Sequence, residues 1–595
     1  MRDRLIPWAV ALLALLPHLA GLRNGFVYDD FRFFVENPGV RSLERPWELV
    51  TDVGRASIPQ DRDIWRPLRT LAFAGEHALF GNAAAGWHAV SLLVHLLLVR
   101  GLIALASRLP EMTRGRALAA GLLFGVHPLT VESVAWISSQ GDLLAALFVV
   151  LSLVSASRRP IVAAIAATLA LLGKESALPL FVVLAAARRG LPEPARPRRA
   201  VVAAATALTV VYVAVRQALL ARGFDLTAAG FSQTDAGIGA RLLQVAQNVP
   251  LTLRLFVWPW PLSVDYDHNL VGRPGVADVV VAVALLGVIG WALARWRNLR
   301  ARAGFALLFA VLSFVPTCGI VALKSPTAER FLLLPCAGLA LALMAAFAAP
   351  TAGAWRRQAR VVVLAGVALV LASVTFQRTR DFESDEALWR AELSIHPTSL
   401  QARLGLLHAA SERRDLAAES ELAESIVELA APGDARRVAA LFALGQLAFD
   451  AGDEERGAAR MEQCRREIVL RGRVDDLDPA LLLAWVALGN FHRSRFGAAD
   501  AEVVLRDGIE RFGRRPRLLE GLGVAREEQN DAAGAEALYR EALAAGEESA
   551  SLRHHLARAL VHLGRVAEAR KEVEQALTLE PSHVPSRLLL DELSR

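Results

Sequence analysis

The stretch GWHAVSLLVHLLLVRGLIALAS (86–107) decides the fold class, because it runs for 22 residues with a single formally charged side chain, Arg100. An α-helix needs about 20 predominantly apolar residues to cross the hydrocarbon core of a bilayer. Runs of the same kind recur between residue 1 and residue 377, and the mean hydropathy of the 595-residue chain is +0.36. The sequence therefore predicts an all-α protein whose first part is a polytopic membrane bundle.

The same criterion predicts about eleven membrane spans. They lie near residues 5–22, 86–107, 117–136, 142–157, 160–173, 176–188, 200–220, 275–295, 303–322, 330–349 and 360–377. The segments 160–173 and 176–188 are short for a bilayer. The first run is interpreted as an uncleaved anchor, because HLAGLRN (18–24) has no small-x-small cleavage pattern.

Clusters of arginine give the expected orientation of these spans. They lie at positions 2–4, 108–116, 158–159, 187–199, 294–302 and 355–360, all on one side of the membrane if the span count is right. The positive-inside rule makes that side cytoplasmic. The opposite side then receives the loops 23–85, 127–142, 173–176, 221–274 and 323–330. An odd number of spans also puts everything after residue 377 on that side.

The net charge of +6 does not indicate nucleic-acid binding, because many of the arginines lie in these short turns. The three cysteines, Cys318, Cys336 and Cys464, form no CxxC pair and no even framework, which argues against structural zinc and against a disulfide scaffold. No glycine-rich phosphate loop, Ser-His-Asp set or metal-ligand cluster stands out. No cofactor is therefore predicted, and dependence on a divalent metal stays open.

The second part of the chain carries a helical repeat. WVALGNFH (485–492) matches the W-x2-L-G-x2-Y opening of a tetratricopeptide repeat, and the pattern recurs every 34 residues. Three sets of positions keep this register: Leu488, Leu522 and Leu556; Ala499, Ala533 and Ala567; and Ala501, Ala535 and Ala569. The register predicts an α-solenoid over residues 378–595, after a membrane domain over residues 1–377. Such repeats usually bind a peptide or a protein on a concave surface.

Charged residues collect in the loops predicted to lie outside the cytoplasm. NGFVYDDFRFFVENP (24–38) places two adjacent aspartates among aromatic side chains, directly after the first span. The loops together hold Asp29, Asp30, Arg66, Arg69, His127, Glu132, Asp142, Lys174, Glu175, Lys324, Glu329 and Arg330. Ionisable groups near a membrane carry a large desolvation cost and usually mark function.

This set of residues fits the transfer of a sugar from a lipid-linked phosphosugar. An acceptor hydroxyl must lose its proton to a carboxylate, and the leaving lipid phosphate needs cations around it. The predicted residues are, for catalysis, Asp29, Asp30 and Glu132; for phosphate binding, Arg66, Lys174 and Arg330; and, in support, Glu175, His127 and Glu329. Asp29 is preferred as the base because it follows Tyr28, whose ring could form a wall of the pocket.

Simpler interpretations of the same residues stay open. The two aspartates could form an interface cap or pair with Arg23 or Arg32. Glu132 and Glu175 could pair with nearby cations for structural reasons alone. His127 is more typical of a helix end than of a general base.

These blocks, in this order, resemble the multi-span, tetratricopeptide-containing O-mannosyltransferases and their bacterial relatives, which are GT-C glycosyltransferases. The resemblance runs through nearly the whole chain. It rests on NGFVYDDFRFFVENP (24–38), WRPLRTLAF (65–73), GVHPLTVESVAWISSQGD (125–142), GKESALPL (173–180), PWPLSVDY (259–266), AERFLLLPCAGLALAL (328–343) and the repeats.

The resemblance implies a GT-C fold, a polyprenyl-phosphate sugar donor and catalysis outside the cytoplasm. In that fold an acidic pair in the first outer loop is the catalytic signature, and it matches Asp29 and Asp30. GWHAVSLLVH (86–95) departs from the family, which more often has Tyr and Asn there. The resemblance implies a protein of the bacterial cytoplasmic membrane with extracytoplasmic repeats and a protein or envelope acceptor. Bacterial relatives need not use mannose or a protein acceptor.

Two rival functions come from other classes. The first is a non-catalytic membrane scaffold whose repeats gather envelope proteins. The second is a component of polymer export or lipid modification. A scaffold has no need for paired acids and for Arg and Lys beside apolar loops, so these residues favour the glycosyltransferase.

Overall fold

The computed structural model describes residues 2–35, 37–41, 43, 45–52, 64–221, 238–266, 275–321, 325, 327–347, 354–471, 479–546, 548–580 and 583–594. Within these ranges all regular structure is helical, and no strand occurs. The predicted all-α fold class is confirmed.

The chain forms two compact units, Met1–Gly405 and Leu406–Arg595. The boundary predicted from the sequence, between residues 377 and 378, falls inside the helix Ala354–Asp381. The first unit continues to Gly405 because the helix Asp385–Ile395 contacts the loop that follows the first span, as described below.

The first unit consists of α-helices joined by short turns. They are α1 (Arg2–Leu15), α2 (Glu48–Thr51), α3 (Pro67–Phe80), α4 (Ala84–Ala106), α5 (Arg114–Gly125), α6 (Val131–Ala135), α7 (Gln140–Ser155), α8 (Pro160–Gly173), α9 (Leu180–Gly190), α10 (Arg199–Ala221), α11 (Ile238–Val257), α12 (Val276–Arg295), α13 (Arg297–Phe314), α14 (Leu333–Ala346), α15 (Ala354–Asp381), α16 (Asp385–Ile395) and α17 (Leu400–Glu412), which runs past the division. The tighter turns are Leu16–Arg23, Phe31–Val35, Pro38–Val40, Pro128–Thr130, Ile137–Ser139, Glu175–Ala177, Val315–Thr317 and Glu329–Leu332.

Eight helices in the described ranges are long and apolar enough to cross a membrane. They are Arg4–Arg23, Ala84–Ala106, Ile137–Ser155, Arg199–Leu219, Val276–Arg295, Arg297–Thr317, Glu329–Ala346 and Gln358–Asp381. A ninth results if the bent pair α5 and Pro128–Ala135 is one span. The other two predicted segments are helical but shorter, since α8 has 14 residues and α9 has 11. At about 1.5 Å per residue, neither crosses a core of about 30 Å alone.

Two of these helices expose apolar faces that water would not tolerate. On α12, Val280, Val283 and Leu286 are half or more exposed, and on α15 the same holds for Val362 and Leu369. Soluble proteins rarely expose continuous apolar patches of this size. Apolar faces of this kind are typical of helices that contact lipid, which fits an integral membrane protein.

Glycine and alanine let the buried helices approach closely. A Cβ atom added at Gly338 on α14 would lie 2.6 Å from the Ala310 backbone nitrogen on α13. At Gly125 on α5 it would lie 2.6 Å from Ala14 Cβ on α1. Membrane helices associate through such small-residue contacts, because burial of apolar surface gives no drive for association inside lipid.

The chain bends by 60° between α5 and Pro128–Ala135. Pro128 cannot donate to the helix ladder, so the helix breaks there. The His127 side chain accepts a hydrogen bond from the Leu129 N–H at 3.2 Å and caps the next turn. The bend carries Glu132 off the axis of α5 toward other polar side chains.

The second unit consists of paired helices. They are α18 (Leu416–Leu429), α19 (Ala435–Asp450), α20 (Glu454–Arg471), α21 (Pro479–Phe496), α22 (Ala498–Phe512), α23 (Pro516–Glu528), α24 (Ala532–Ala544), α25 (Ala550–His562), α26 (Val566–Leu579) and α27 (Val584–Glu592).

Two of the three repeated sets of the 34-residue register lie in the core of this unit, whereas the set Ala499, Ala533 and Ala567 is exposed. The repeated leucines of α21, α23 and α25 are buried, and the alanines Ala501, Ala535 and Ala569 are fully buried. A Cβ atom at Gly523 would lie 2.4 Å from the Tyr539 ring of the next helix, so the helices touch there. The small residues stand where paired helices approach, and the predicted tetratricopeptide solenoid is confirmed.

Candidate active site

The loop that carries the two aspartates is fastened to the end of α15 and the start of α16. Asn24 Nδ2 donates to Thr379 O at 3.0 Å. Four residues later, the Tyr28 N–H donates to Asp385 Oδ1 at 2.7 Å. Because α15 is a membrane helix, these bonds fix the position of the loop relative to the spans.

Asp30 uses both carboxylate oxygens to hold the loop. Oδ2 accepts from the Val27 N–H at 3.0 Å, and Oδ1 accepts from the Ser138 N–H at 2.8 Å and from the Ser138 hydroxyl at 2.6 Å. The side chain is fully buried. Burial raises the pKa of Asp30 to about 7, although these hydrogen bonds act to lower it. The second aspartate therefore ties the loop to the turn Ile137–Ser139.

Tyr28, the residue before Asp29, has an unusual backbone conformation. Its φ is 52°, in the left-handed region that aromatic residues rarely adopt. Its ring lies 5.6 Å from the Trp136 ring and 5.1 Å from the Trp389 ring, centroid to centroid. Packing of the ring and the bond to Asp385 hold the unusual backbone in place, and such strain is found at functional sites.

Asp29 differs from Asp30 in its surroundings. It is half-buried rather than fully buried. Its negative charge acts on the guanidinium groups of Arg69 and Arg330. Of the two neighbouring aspartates, Asp29 is therefore the one whose charge acts on these cations.

Glu132 and Arg330 form a buried, two-point pair. Glu132 Oε2 accepts from the Arg330 backbone N–H at 2.7 Å, and Oε1 pairs with the Arg330 guanidinium. Glu132 is fully buried, and the Arg330 side chain is 16% exposed. The guanidinium lies 4.8 Å from the Trp136 ring centroid and 5.0 Å from that of Phe331. The pair fixes the arginine in direction as well as in place.

Lys174 pairs with Asp142, a residue from the start of α7. The two side chains are 10% and 6% exposed. Burial lowers the pKa of Lys174 to about 8, and the charge of Asp142 opposes that shift. The lysine Nζ also lies 5.5 Å from the Phe331 ring centroid, the ring that Arg330 contacts. Two predicted phosphate cations thus meet at one aromatic side chain.

Arg66 pairs with Glu175. Its Nε lies 3.0 Å from Glu175 Oε2, and Arg216 Nε of α10 lies 3.8 Å from Glu175 Oε1. Burial alone would raise the pKa of Glu175, but the charges of Arg66 and Arg216 lower it to about 2. The carboxylate stays ionised and holds both arginines.

Two predicted supporting residues have other partners. Glu329 Oε1 accepts from Arg378 Nη2 and from the Tyr266 hydroxyl, both at 3.2 Å. The ring of His127 stacks on the Phe256 ring at 5.3 Å, and its Nε2 lies 3.0 Å from Phe256 O. Both ring nitrogens of His127 are therefore occupied by backbone groups, as expected of a residue that ends a helix.

Three buried polar residues that the sequence did not single out, Tyr266, Arg378 and Glu392, form a group around Glu329. Glu392 accepts from the Ser263 hydroxyl at 2.7 Å. This group fastens PWPLSVDY (259–266) to α15 and α16. The sequence analysis identified the motif PWPLSVDY, but a local sequence pattern does not predict which distant carboxylates contact it.

The described ranges contain no group of three or more His, Cys, Asp or Glu side chains placed to hold a metal ion. Dependence on a divalent metal stays open. The predicted outer residue Lys324 lies outside the described residues.

The buried state of Asp30 predicts a pH effect on stability. Its folded pKa of about 7 lies above its ordinary value of 3.8, so the folded protein binds more protons between these values. The contribution of Asp30 to stability is therefore expected to fall as pH rises from about 4 to about 7. Over that range the melting midpoint of the wild type should fall by roughly 5 °C more than that of Asp30→Asn. Thermal unfolding of both proteins in detergent checks this, and parallel curves would contradict it.

Comparisons with known proteins point to one family. The Tetratricopeptide repeat model matches residues 527–588. "Protein O-mannosyl-transferase F38B6.6" of Caenorhabditis elegans is 24% identical over 417 residues, which cover 66% of this chain and 58% of the relative. "Protein O-mannosyl-transferase TMTC4" of Mus musculus is 24% identical over 486 residues, covering 68% of this chain and 65% of the relative.

A shorter and more similar match is with "Protein O-mannosyl-transferase TMTC1" of Homo sapiens. It is 34% identical over 158 residues, which cover 25% of this chain and 18% of the relative. The chain spans less than two thirds of the length of each of these relatives. They confirm the predicted resemblance: this chain is similar to the tetratricopeptide-containing protein O-mannosyltransferases.

Proposed function

We propose that this protein is a membrane glycosyltransferase that moves a monosaccharide from a polyprenyl-phosphate donor to a protein or envelope acceptor. The observation that carries the proposal is the position of Asp29. The charge of this half-buried carboxylate acts on two largely buried arginines, Arg330, which Glu132 holds, and Arg69. That arrangement supplies a base and a binding site for an anionic leaving group in one place.

The reaction assigns one chemical task to Asp29. The acceptor hydroxyl gives its proton to the Asp29 carboxylate while its oxygen bonds to the anomeric carbon of the sugar. The bond between that carbon and the phosphate oxygen breaks, and polyprenyl phosphate leaves with the electron pair. Asp30 does not take the proton in this scheme, because both of its oxygens hold the loop.

Arg66, Lys174 and Arg330 bind the phosphate in this scheme. Negative charge grows on the phosphate as the bond breaks, and fixed cations in a water-poor site stabilise that charge more than water does. The rings of Trp136 and Phe331 beside Arg330 keep the surroundings apolar. The cations are fixed before the donor binds, so little reorganisation is needed during the reaction.

Glu132, Asp142 and Glu175 orient these cations. Each accepts from or pairs with one of them while itself buried or nearly so. Glu132, predicted as a catalytic residue, thus acts on the reaction through Arg330. Loss of such a partner leaves an unpaired buried charge, so the orienting residues also stabilise the fold.

The repeats and the membrane orientation complete the proposal. In this proposal the site and the repeats lie outside the cytoplasm, an orientation that the arginine clusters support, and the membrane is the bacterial cytoplasmic membrane that the resemblance implies. The proposed side requires an odd number of spans, as in the count of nine that includes the bent pair or the predicted eleven; eight spans would put the repeats in the cytoplasm. The solenoid then binds the protein acceptor or a partner that delivers it. The names of the relatives make mannose and a protein the first sugar and acceptor to test.

The scaffold is the rival function, and donor turnover separates the two. The full chain, purified in detergent, is incubated with a membrane-protein extract and a panel of polyprenyl-phosphate monosaccharides, mannose first. We expect release of polyprenyl phosphate from at least one donor, at a rate far above that of protein-free controls. A folded protein that turns over none of the donors would favour the scaffold.

A further inference from the structure

Arg69 is a buried cation that has no ion-pair partner within 4 Å in the part of the chain that the structure describes. It lies one turn after Arg66 on α3 and is 3% exposed. Its guanidinium lies over the rings of Phe33 and Phe73, 4.8 and 5.5 Å from their centroids. Among the described residues it makes no hydrogen bond or ion pair, and its Nε is buried without a partner. Ring faces attract the positive charge but accept none of the in-plane N–H bonds.

The neighbouring glycine makes room for this side chain. A Cβ atom at Gly141 would lie 3.2 Å from Arg69 Cδ and 3.3 Å from Gly173 O. The arginine stem therefore packs against the start of α7, where Gly141 also approaches the end of α8. Asp142 and Lys174, the next residues along those two segments, already pair with each other.

The three cations that were predicted to bind phosphate each have a carboxylate: Arg66 has Glu175, Lys174 has Asp142 and Arg330 has Glu132. Among the described residues, Arg69 has no carboxylate partner, and the positive charge of Arg66 repels its guanidinium. Burial and then the charge of Arg66 lower the pKa of Arg69 to about 9, although the more distant charges of Glu175, Asp142 and Asp29 act to raise it. An unpaired buried charge is costly to a folded protein, and the usual compensation is a partner of opposite sign.

We infer that Arg69 is the open anion-binding position of this site, where its guanidinium donates hydrogen bonds to the phosphate of the lipid-linked donor. This inference rests on the proposed function. It adds Arg69 to the residues that contact the donor phosphate. Three cations are held by protein carboxylates, and Arg69 is left for the ligand. The charge of Asp29 also acts on Arg69, so a phosphate bound there lies beside the proposed base.

Phosphate binding without any transfer tests this inference. The full chain is placed in phosphatidylcholine nanodiscs, and thermal unfolding and affinity are measured with undecaprenyl phosphate and, separately, with inorganic phosphate. We expect Arg69→Met to weaken undecaprenyl phosphate binding by roughly 10- to 100-fold, the loss of a charged hydrogen-bonding partner. Without ligand, its melting midpoint should equal or exceed that of the wild type, because an unpaired buried charge has been removed.

Two variants make the test selective. Arg69→Lys keeps the charge but loses the planar fork, so its affinity should fall between those of the wild type and Arg69→Met. Arg254→Gln is the control: Arg254 is exposed and donates to Trp260 O at 3.1 Å, so its loss should leave phosphate affinity unchanged.

Three outcomes would overturn the inference. The first is an affinity of Arg69→Met for undecaprenyl phosphate that equals that of the wild type, whatever the affinity of Arg69→Lys. Another is a lower ligand-free midpoint with binding kept, which marks a structural arginine. The third is a loss confined to inorganic phosphate, which removes the lipid headgroup as the ligand. A chain that binds undecaprenyl phosphate through Arg69 but transfers no sugar contradicts the proposed function and supports this inference.

Discussion

Asp29→Asn is expected to lower the rate of sugar transfer by roughly two to four orders of magnitude, the usual contribution of a general base. Asparagine keeps the size of the side chain but cannot take a proton from the acceptor hydroxyl. Asp29 is only half-buried, so the fold should survive the change. The measurement is the rate of polyprenyl phosphate release at saturating donor, with thermal unfolding as the check on folding.

The adjacent residue supplies the matched control. In Asp30→Asn the amide would face the Val27 N–H, so a donor would meet a donor. The loss should cost about 1–3 kcal/mol of stability. The folded fraction should still transfer sugar within about tenfold of the wild type, because the base is intact. Wild-type turnover in folded Asp29→Asn would remove the base from the scheme.

Arg330→Ala is expected to have the second largest effect, and on two properties at once. The change removes a cation from the phosphate site, which should lower kcat/KM by roughly 10²- to 10³-fold. It also leaves Glu132 fully buried without its partner. Breaking a buried pair in this way typically costs about 3–5 kcal/mol. Steady-state kinetics and thermal unfolding of the same preparation measure both effects.

A double variant separates the two effects of Arg330. Glu132→Gln together with Arg330→Ala removes both charges, so no unpaired charge stays buried. Much of the lost stability should return while transfer stays low. Recovery of both properties would show that Arg330 serves the fold alone. A double variant less stable than Arg330→Ala would contradict the buried pair itself.

The fold followed from periodic signals in the sequence. Apolar length predicted helical segments at all eleven positions, and the 34-residue register identified the buried alanines of the repeats, such as Ala535. Span length was harder to predict, because helix ends depend on caps and on contacts with other helices. The helix α9 begins only at Leu180, after the turn Glu175–Ala177, and is too short to span.

The sequence singled out polar residues of the outer loops as a candidate site, but it did not show how they pair. The loops that carry Asp29, Arg66, Lys174 and Arg330 were expected on one side of the membrane, and their side chains do form linked groups. Adjacent aspartates look alike in a sequence, and only the contact with Ser138, 108 residues away, distinguishes them.

The sequence also did not predict that Arg69 lacks an ion-pair partner among the described residues. An arginine one helical turn from Arg66 looks like a second member of the same pair. Arg69 is left without a carboxylate partner because Glu175 pairs with Arg66 and Asp142 pairs with Lys174. Both ion pairs form between segments that are distant in the sequence, so local sequence patterns do not predict them.

The central claim is that this chain transfers a sugar from a lipid phosphate with Asp29 as the base. The most direct test is a single-turnover reaction of the purified full chain with labelled polyprenyl-phosphate sugar and acceptor extract, in which both products are counted. We predict one sugar gained by the acceptor for each polyprenyl phosphate released, and, in the time that the wild type needs for one turnover, almost none of either product from Asp29→Asn that is folded and binds donor. Equal product yields from the wild type and that variant, or no product from a wild type that binds donor, would contradict it.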